Sequence, residues 1–289
     1  MPIPGLTIIG ESINDSVPST KRLFEAGDVG GILELARFQD EKGAGYIDVN
    51  VGLRPPQFMA DLVRKIQQVT AKPLAIDTPD PETARAGLAA YDPARAGGKK
   101  PLLNSISALR VGMFELGAVQ PFRPILLISE RLEEGHSRPC RTAEETYDAA
   151  KFLLAAARAT CGGIPNGDAI FDPGIAPIGS DAEGNLPRLL AAMELIHNDP
   201  DFAGAHLSVG LSNFTVMLPP KRRDGSPLKG PLESAFLTKA MPLGLDMVIG
   251  SVKRNYELLP ADHPAVQCIE DCIRAAGFDS IVRIREFYS

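Results

Sequence analysis

No run of apolar residues in this sequence approaches the roughly 20 that a membrane-spanning helix needs. The amino-terminal stretch "MPIPGLTIIGES" lacks a basic region followed by an apolar segment and a cleavage site. Neither a membrane span nor a signal peptide is expected from such a pattern. Cysteine is scarce: Cys140, Cys161, Cys268 and Cys272 are the 4 in 289 residues. They are too scattered for a disulfide framework, which makes a reducing cytoplasm the expected compartment. Histidine is equally sparse, with His136, His197, His206 and His263 isolated from one another. Cys268 and Cys272 are four apart on one helical face, yet no Cys or His pair elsewhere completes a zinc set, so no metal site is expected. Basic charge is also in deficit. Against 36 Asp and Glu stand 30 Lys and Arg, a net charge of -6, without the dominant basic surface that nucleic acid or an anionic membrane requires. The run Lys221-Arg222-Arg223 is a local exception, read by default as a solvated loop tip.

What the chain does have is a large apolar fraction, 44%, with 23% charged residues, enough to bury a sizeable core. Short runs rich in apolar and β-branched residues recur: "LTIIGES", "YIDVNV", "PLAIDT", "LLNSIS", "RPILLIS", "AIFDPGI", "LSVGLSN" and "MVIGSV". Each reads as a strand. Between them lie helical spacings, with one face formed by Val29, Ile32, Leu33 and Ala36. Leu62, Ile66 and Val69 form another, and Val266, Ile269, Ile273 and Ala276 a third. Asp80 before Pro81 suits a helix cap and first position, and "TAEE" from Thr142 reads as a capping box opening the fifth connecting helix. Strand and helix alternate with no composition break or long polar linker. The fold class implied is α/β, a single-domain (β/α)8 TIM barrel over residues 1–289. An open Rossmann sheet ranks second, since no G-x-G-x-x-G follows the first strand.

A barrel gathers its chemistry at the carboxyl ends of its strands. Glu11 and Asn14 are expected after the first strand, Asp48 and Asn50 at the end of the second, and Asp77 at the end of the third. Asn104 and Ser105 fall in the fourth, Asp172 ends the sixth, and Ser212 and Asn213 end the seventh. At any one position, helix capping or loop satisfaction is as good a reading. Recurrence on nearly every strand favours a polar pocket instead. A pocket of carboxylates and amides suits a neutral ligand rich in N–H donors, because a carboxylate accepts two parallel bonds from a guanidine-like edge. A pterin has such an edge.

"IIGESIN", "YIDVNVG", "AIDT", "LLNSIS", "IFDPGI" and "GLSN" follow the order and spacing of the pterin-binding barrel superfamily. Across essentially its whole length the chain resembles the methyltetrahydrofolate:corrinoid-protein methyltransferases and the folate domain of cobalamin-dependent methionine synthase. The resemblance implies that Asp77, Asn104 and Asp172 hold the pterin ring, with Asp48 and Asn50 completing the network. Gly210 and Ser212 would shape the wall, Glu11 and Asn14 would contribute to substrate binding, and Asn213 would act on nitrogen 5 of the pterin. The implied substrate is tetrahydrofolate or 5-methyltetrahydrofolate. The implied partner is a separate corrinoid protein carrying cobalamin, since no Asp-x-His-x-x-Gly motif occurs here. A homodimer is a further implication.

Two alternatives stand beside this reading: a dihydropteroate synthase, and a non-catalytic pterin- or folate-binding barrel. The synthases share an Asp-Pro-Gly turn, but their seventh strand usually ends in a basic motif where this chain has Asn213. Ser12 likewise stands where an Arg is common in the methyltransferases. As a functional alternative to a solvated tip, Lys221 to Arg223 would meet the folate glutamate tail or an acidic patch on the corrinoid protein.

Overall fold

A computed structural model describes residues 3–160, 162–275 and 277–289. Cys161 and Ala276, named above as a scattered thiol and a helix-face residue, lie outside the described residues, as does the start of the amino-terminal stretch. The barrel strands are β1 (Thr7–Asn14), β2 (Tyr46–Asn50), β3 (Leu74–Asp77), β4 (Leu102–Ile106) and β5 (Arg123–Leu127). A hairpin of β6 (Glu130–Glu133) and β7 (His136–Pro139) follows, then β8 (Ile170–Asp172), β9 (His206–Gly210) and β10 (Leu245–Gly250). The barrel closes in the order β1-β10-β9-β8-β5-β4-β3-β2, and its pairings are parallel. All eight sequence-predicted runs are therefore staves of one (β/α)8 barrel. The charged β6–β7 hairpin is an insertion that the apolar pattern does not announce.

Helices cover the outside: α1 (Pro18–Glu25), α2 (Val29–Glu41), α3 (Pro56–Ile66), α4 (Pro81–Ala90), α5 (Ala143–Ala159) and α6 (Asn185–Asn198). After a single turn, α7 (Leu211–Phe214), come α8 (Lys229–Ala240), α9 (Pro264–Ala275) and α10 (Gly277–Tyr288). Asp80 caps α4 as its sequence suggests, accepting from the Thr83 N–H at 2.9 Å. The Thr142 box is half formed. Thr142 Oγ1 accepts from the Glu145 N–H, but the Glu145 carboxylate reaches back to the N–H of Arg141, one residue before the cap. Val69 falls beyond the end of α3, so its face belongs to the turn that follows.

Three further segments differ from the sequence reading. Glu11 and Asn14 lie within β1, which runs longer than the apolar run suggests, because a bulge between Gly10 and Ile13 adds a residue without ending the ladder. Ser212 and Asn213 lie beyond the last ladder pair of β9, in α7. Lys221 and Arg223 are exposed, as a solvated tip would be, but the loop is anchored: Arg222 Nε donates to the Phe287 carbonyl at 2.9 Å, its guanidinium sits 4.5 Å from the Phe287 ring, and the Arg223 N–H donates to Tyr288 O. The cationic loop is thus tied to the last helix.

Inside the barrel, Ile9, Tyr46, Ala75, Leu102, Ile125, Ile170 and Met247 form one buried apolar layer. Strand side chains alternate faces, so the next inward position lies two residues on. That step leads from Tyr46 to Asp48, Ala75 to Asp77, Leu102 to Asn104 and Ile170 to Asp172. An apolar plug therefore sits directly beneath a polar layer.

Candidate functional site

Register brings the polar layer together. Asp77 pairs with Asn104 across β3 and β4, and Asp48 on β2 pairs with Ala75, two ladder positions before Asp77. Asn50 Nδ2 donates to Asp77 Oδ2 at 2.9 Å, while Asn104 Nδ2 points to Asp48 Oδ1 at 3.4 Å. Asp48 is 1% exposed, and among the described residues its Oδ2 meets no N–H or hydroxyl donor. A buried carboxyl beside a second one keeps its proton, so Asp48 donates to Asp77 and the pair carries a single negative charge. Burial first, then the charge of Asp77, pushes the Asp48 carboxyl well above the usual carboxylate range. Burial also raises Asp77, opposed by the hydrogen bonds with Asn50 and Asp48.

Asp172 closes the layer from the β8 side. Its Oδ1 accepts from the Gly174 N–H at 2.8 Å and its Oδ2 from Ser208 Oγ at 3.3 Å. The Asp-Pro-Gly turn is possible because Gly174 takes φ 68°, and a Cβ there would lie 2.6 Å from Ser129 Cβ. Buried Arg188 braces the turn by donating to the Pro173 carbonyl at 3.0 Å. Burial raises the Asp172 carboxyl to about 6.

Glu11 reaches the same mouth from the β1 bulge. Ser212 Oγ donates to Glu11 Oε1, joining β1 to α7. Burial raises Glu11, opposed first by the Ser212 bond and then by the Arg254 charge. Gln39, fully buried on α2, holds the bulge by accepting the Ser12 N–H at 2.9 Å. Asn14 is occupied locally, its Oδ1 accepting from the N–H and hydroxyl of Ser16. The Asn213 amide folds back over Gly210, where a Cβ would lie 2.9 Å from Asn213 Nδ2. Gly210→Ala is accordingly expected to drive Asn213 into another rotamer. A crystal structure of the variant checks this, and an unmoved Asn213 amide counts against the close approach.

Sequence reasoning missed several residues here. Ser208 is inward by the two-residue period from Gly210, a signal available in "HLSVG". Glu233 is 0% exposed and shares its helical face with Phe236, Leu237 and Ala240, so its burial is legible from the 3.6-residue period. Thr215, Arg254 and Tyr256 carry no such local signal. Thr215 Oγ1 donates to Glu233 Oε1, and Arg254 Nε stands 3.3 Å from Glu233 Oε2.

Other features lie away from this mouth. His206 opens β9 at the opposite end, its Nδ1 2.6 Å from Asp246 Oδ2. Cys268 and Cys272 are buried within α9. Among the described residues no group of three or more His, Cys, Asp or Glu is placed to hold a metal ion, and no helix is long and apolar enough to cross a membrane. A groove of about 800 Å³ between the segment after β4 and the end of α5 is lined by Val111, Phe114, Ala156 and Ala159. None of the polar layer lines it, so convergent chemistry rather than cavity size makes the mouth the candidate site.

Comparison with known proteins gives the family and the fold. Residues 13–250 match the family described as pterin binding enzymes. A curated relative, methylcorrinoid:tetrahydrofolate methyltransferase of Eubacterium limosum, is 28% identical over 258 residues, covering 84% of each chain. Among solved structures, 7,8-dihydropteroate synthase of Vibrio fischeri ES114 superposes with a TM-score of 0.56 at 17% identity, over 98% of this chain and 92% of that one. The Yersinia pestis dihydropteroate synthase also gives 0.56, at 19% identity, over 94% and 93%. At such identities the two synthases are alike in fold alone.

Proposed function

Because the chain belongs to the family of pterin binding enzymes, we propose that it is a methyltransferase acting between tetrahydrofolate and a corrinoid. The methyl group moves between nitrogen 5 of tetrahydrofolate and the cobalt of a corrinoid held by a separate protein, the chemistry named for its Eubacterium limosum relative. The single observation that carries this reading is the polar layer above the apolar plug. Asp77 and Asp172 present acceptors and Asn104 an amide, while Asp48 shares its proton with Asp77. A neutral pterin offers adjacent N–H donors to that set, and an anionic ligand does not. Asn50 orients Asp77, Ser208 orients Asp172, and Gly210 leaves room for the Asn213 amide.

Asn213 supplies the chemistry of the leaving group. A methyl on a neutral tertiary amine departs poorly, so nitrogen 5 needs a proton or an equivalent hydrogen bond as the methyl is taken by the nucleophilic cobalt substrate. The Asn213 carbonyl accepts from a protonated nitrogen 5, and its amide N–H donates to a neutral one, so one side chain serves both directions of transfer. The mouth is the face from which the corrinoid protein must reach the methyl. A homodimer is also proposed, and sizing chromatography with light scattering tests it.

The reading is tested by mixing the protein with 5-methyltetrahydrofolate and a reduced corrinoid protein and following the absorbance change from Co(I) to methyl-Co(III). Catalysed methylation is expected. Tight folate binding without a spectral change, with several corrinoid partners, would establish a binding module instead. Condensation of a pterin pyrophosphate with aminobenzoate would establish a synthase.

A further inference from the structure

The residue assigned to nitrogen 5 sits on a support too short to hold itself. α7 has 4 residues, and its N-cap, Gly210, contributes no side-chain cap. One helical turn fixes several dihedrals for a single hydrogen bond and is unstable alone, so the orientation of Asn213 must come from what α7 touches. At its start, Ser212 is tied to Glu11. At its end, Thr215 Oγ1 donates to Glu233 Oε1 at 2.5 Å, both residues being 1% exposed or less. The second Glu233 oxygen makes no hydrogen bond among the described residues and faces Arg254 Nε at 3.3 Å. One helical step from Glu233, Phe236 packs on Phe214 with ring centroids 5.1 Å apart.

Apolar packing alone would hold α7 against α8 through Phe214 and Phe236 while leaving it free to slide. A buried carboxylate with a single hydroxyl donor adds direction, because a hydrogen bond weakens steeply when its geometry is lost. Glu233 also joins three elements: α8, on which it sits, the end of α7, and the loop after β10 that carries Arg254. We infer that Glu233, through Thr215 and braced by Arg254, is a positioning residue that sets the orientation of the Asn213 amide. This rests on the methyltransferase reading for its kinetic consequence but not for its geometric one.

The test uses Thr215→Val, which removes the hydroxyl with little change of shape, and Thr215→Ser, which restores it. Single-turnover methyl transfer, folate affinity by calorimetry and the side-chain amide resonance of Asn213 are compared. The resonance is recorded with ¹⁵N-asparagine labelling and assigned by its loss in Asn213→Ala. In Thr215→Val the transfer rate is expected to fall at least about tenfold, with folate affinity held within about threefold and the resonance shifted or broadened. Thr215→Ser is expected to restore both. A transfer rate within about twofold of wild type, or an unmoved resonance, in Thr215→Val overturns the inference. If the wild-type protein transfers no methyl at all, the methyltransferase reading fails and the resonance alone decides the positioning role.

Discussion

Asn213→Ala is expected to slow methyl transfer by about 100-fold or more while changing folate affinity only a few-fold. Removing one preorganised group that acts on charge developing in the transition state typically costs about 100- to 1000-fold. The ground state loses less, because in the proposed binding mode Asp48, Asp77, Asn104 and Asp172 hold the far edge of the ring and are untouched by the change. The amide is at the surface of the mouth, one turn beyond the last ladder residue of β9, so its truncation leaves the core intact. Rapid-mixing single-turnover rates set against equilibrium folate titration separate the two effects. Equal losses in rate and affinity would remove the distinct role given to Asn213.

The second large effect is at Asp172, proposed to hold the other end of the pterin. Asp172→Ala is expected to abolish measurable folate binding, a loss of about 100-fold or more, because it deletes an acceptor and leaves the Gly174 N–H and Ser208 hydroxyl facing an empty space. Asp172→Asn isolates the charge. With burial raising the carboxyl to about 6, wild-type affinity should fall as the pH drops through that value, since a protonated carboxyl loses an acceptor. The fold responds with the opposite sign. A carboxyl raised above its unfolded value stabilises the protein fully below the unfolded pKa, and this contribution is lost as the pH rises through the folded one. Asp172→Asn should therefore be more stable than wild type at pH 7.5, by up to about 3 kcal/mol, while binding folate poorly. Melting temperatures and folate titrations at pH 5.5 and 7.5 check both signs. A variant that binds as wild type would place the pterin elsewhere.

The order of the eight strands and their inward polar residues were legible in the chain because both are local. A strand buried on both faces is an apolar run, and a two-residue period fixes which residue follows Ile170 or Ala75 into the barrel. Asp48, Asp77, Asn104 and Asp172 could accordingly be named from their runs alone. Asp80 before Pro81 marked a helix start for the same reason: the capping bond spans only three residues.

What the sequence by itself determined is thus the alternation of elements and the residues aimed at the mouth. Only the tertiary structure decided which of them pair. Ser212 meets Glu11 across 201 positions, Asn50 meets Asp77 across 27, and Arg222 meets Phe287 across 65. Such pairs depend on strand register, on the bulge in β1 and on the path of α10, none of which leaves a periodic trace. The separation of Asn213 from its strand, and the tie from Thr215 to Glu233 that holds it, arise only when the closed barrel brings α8 and the β10 loop against one short turn.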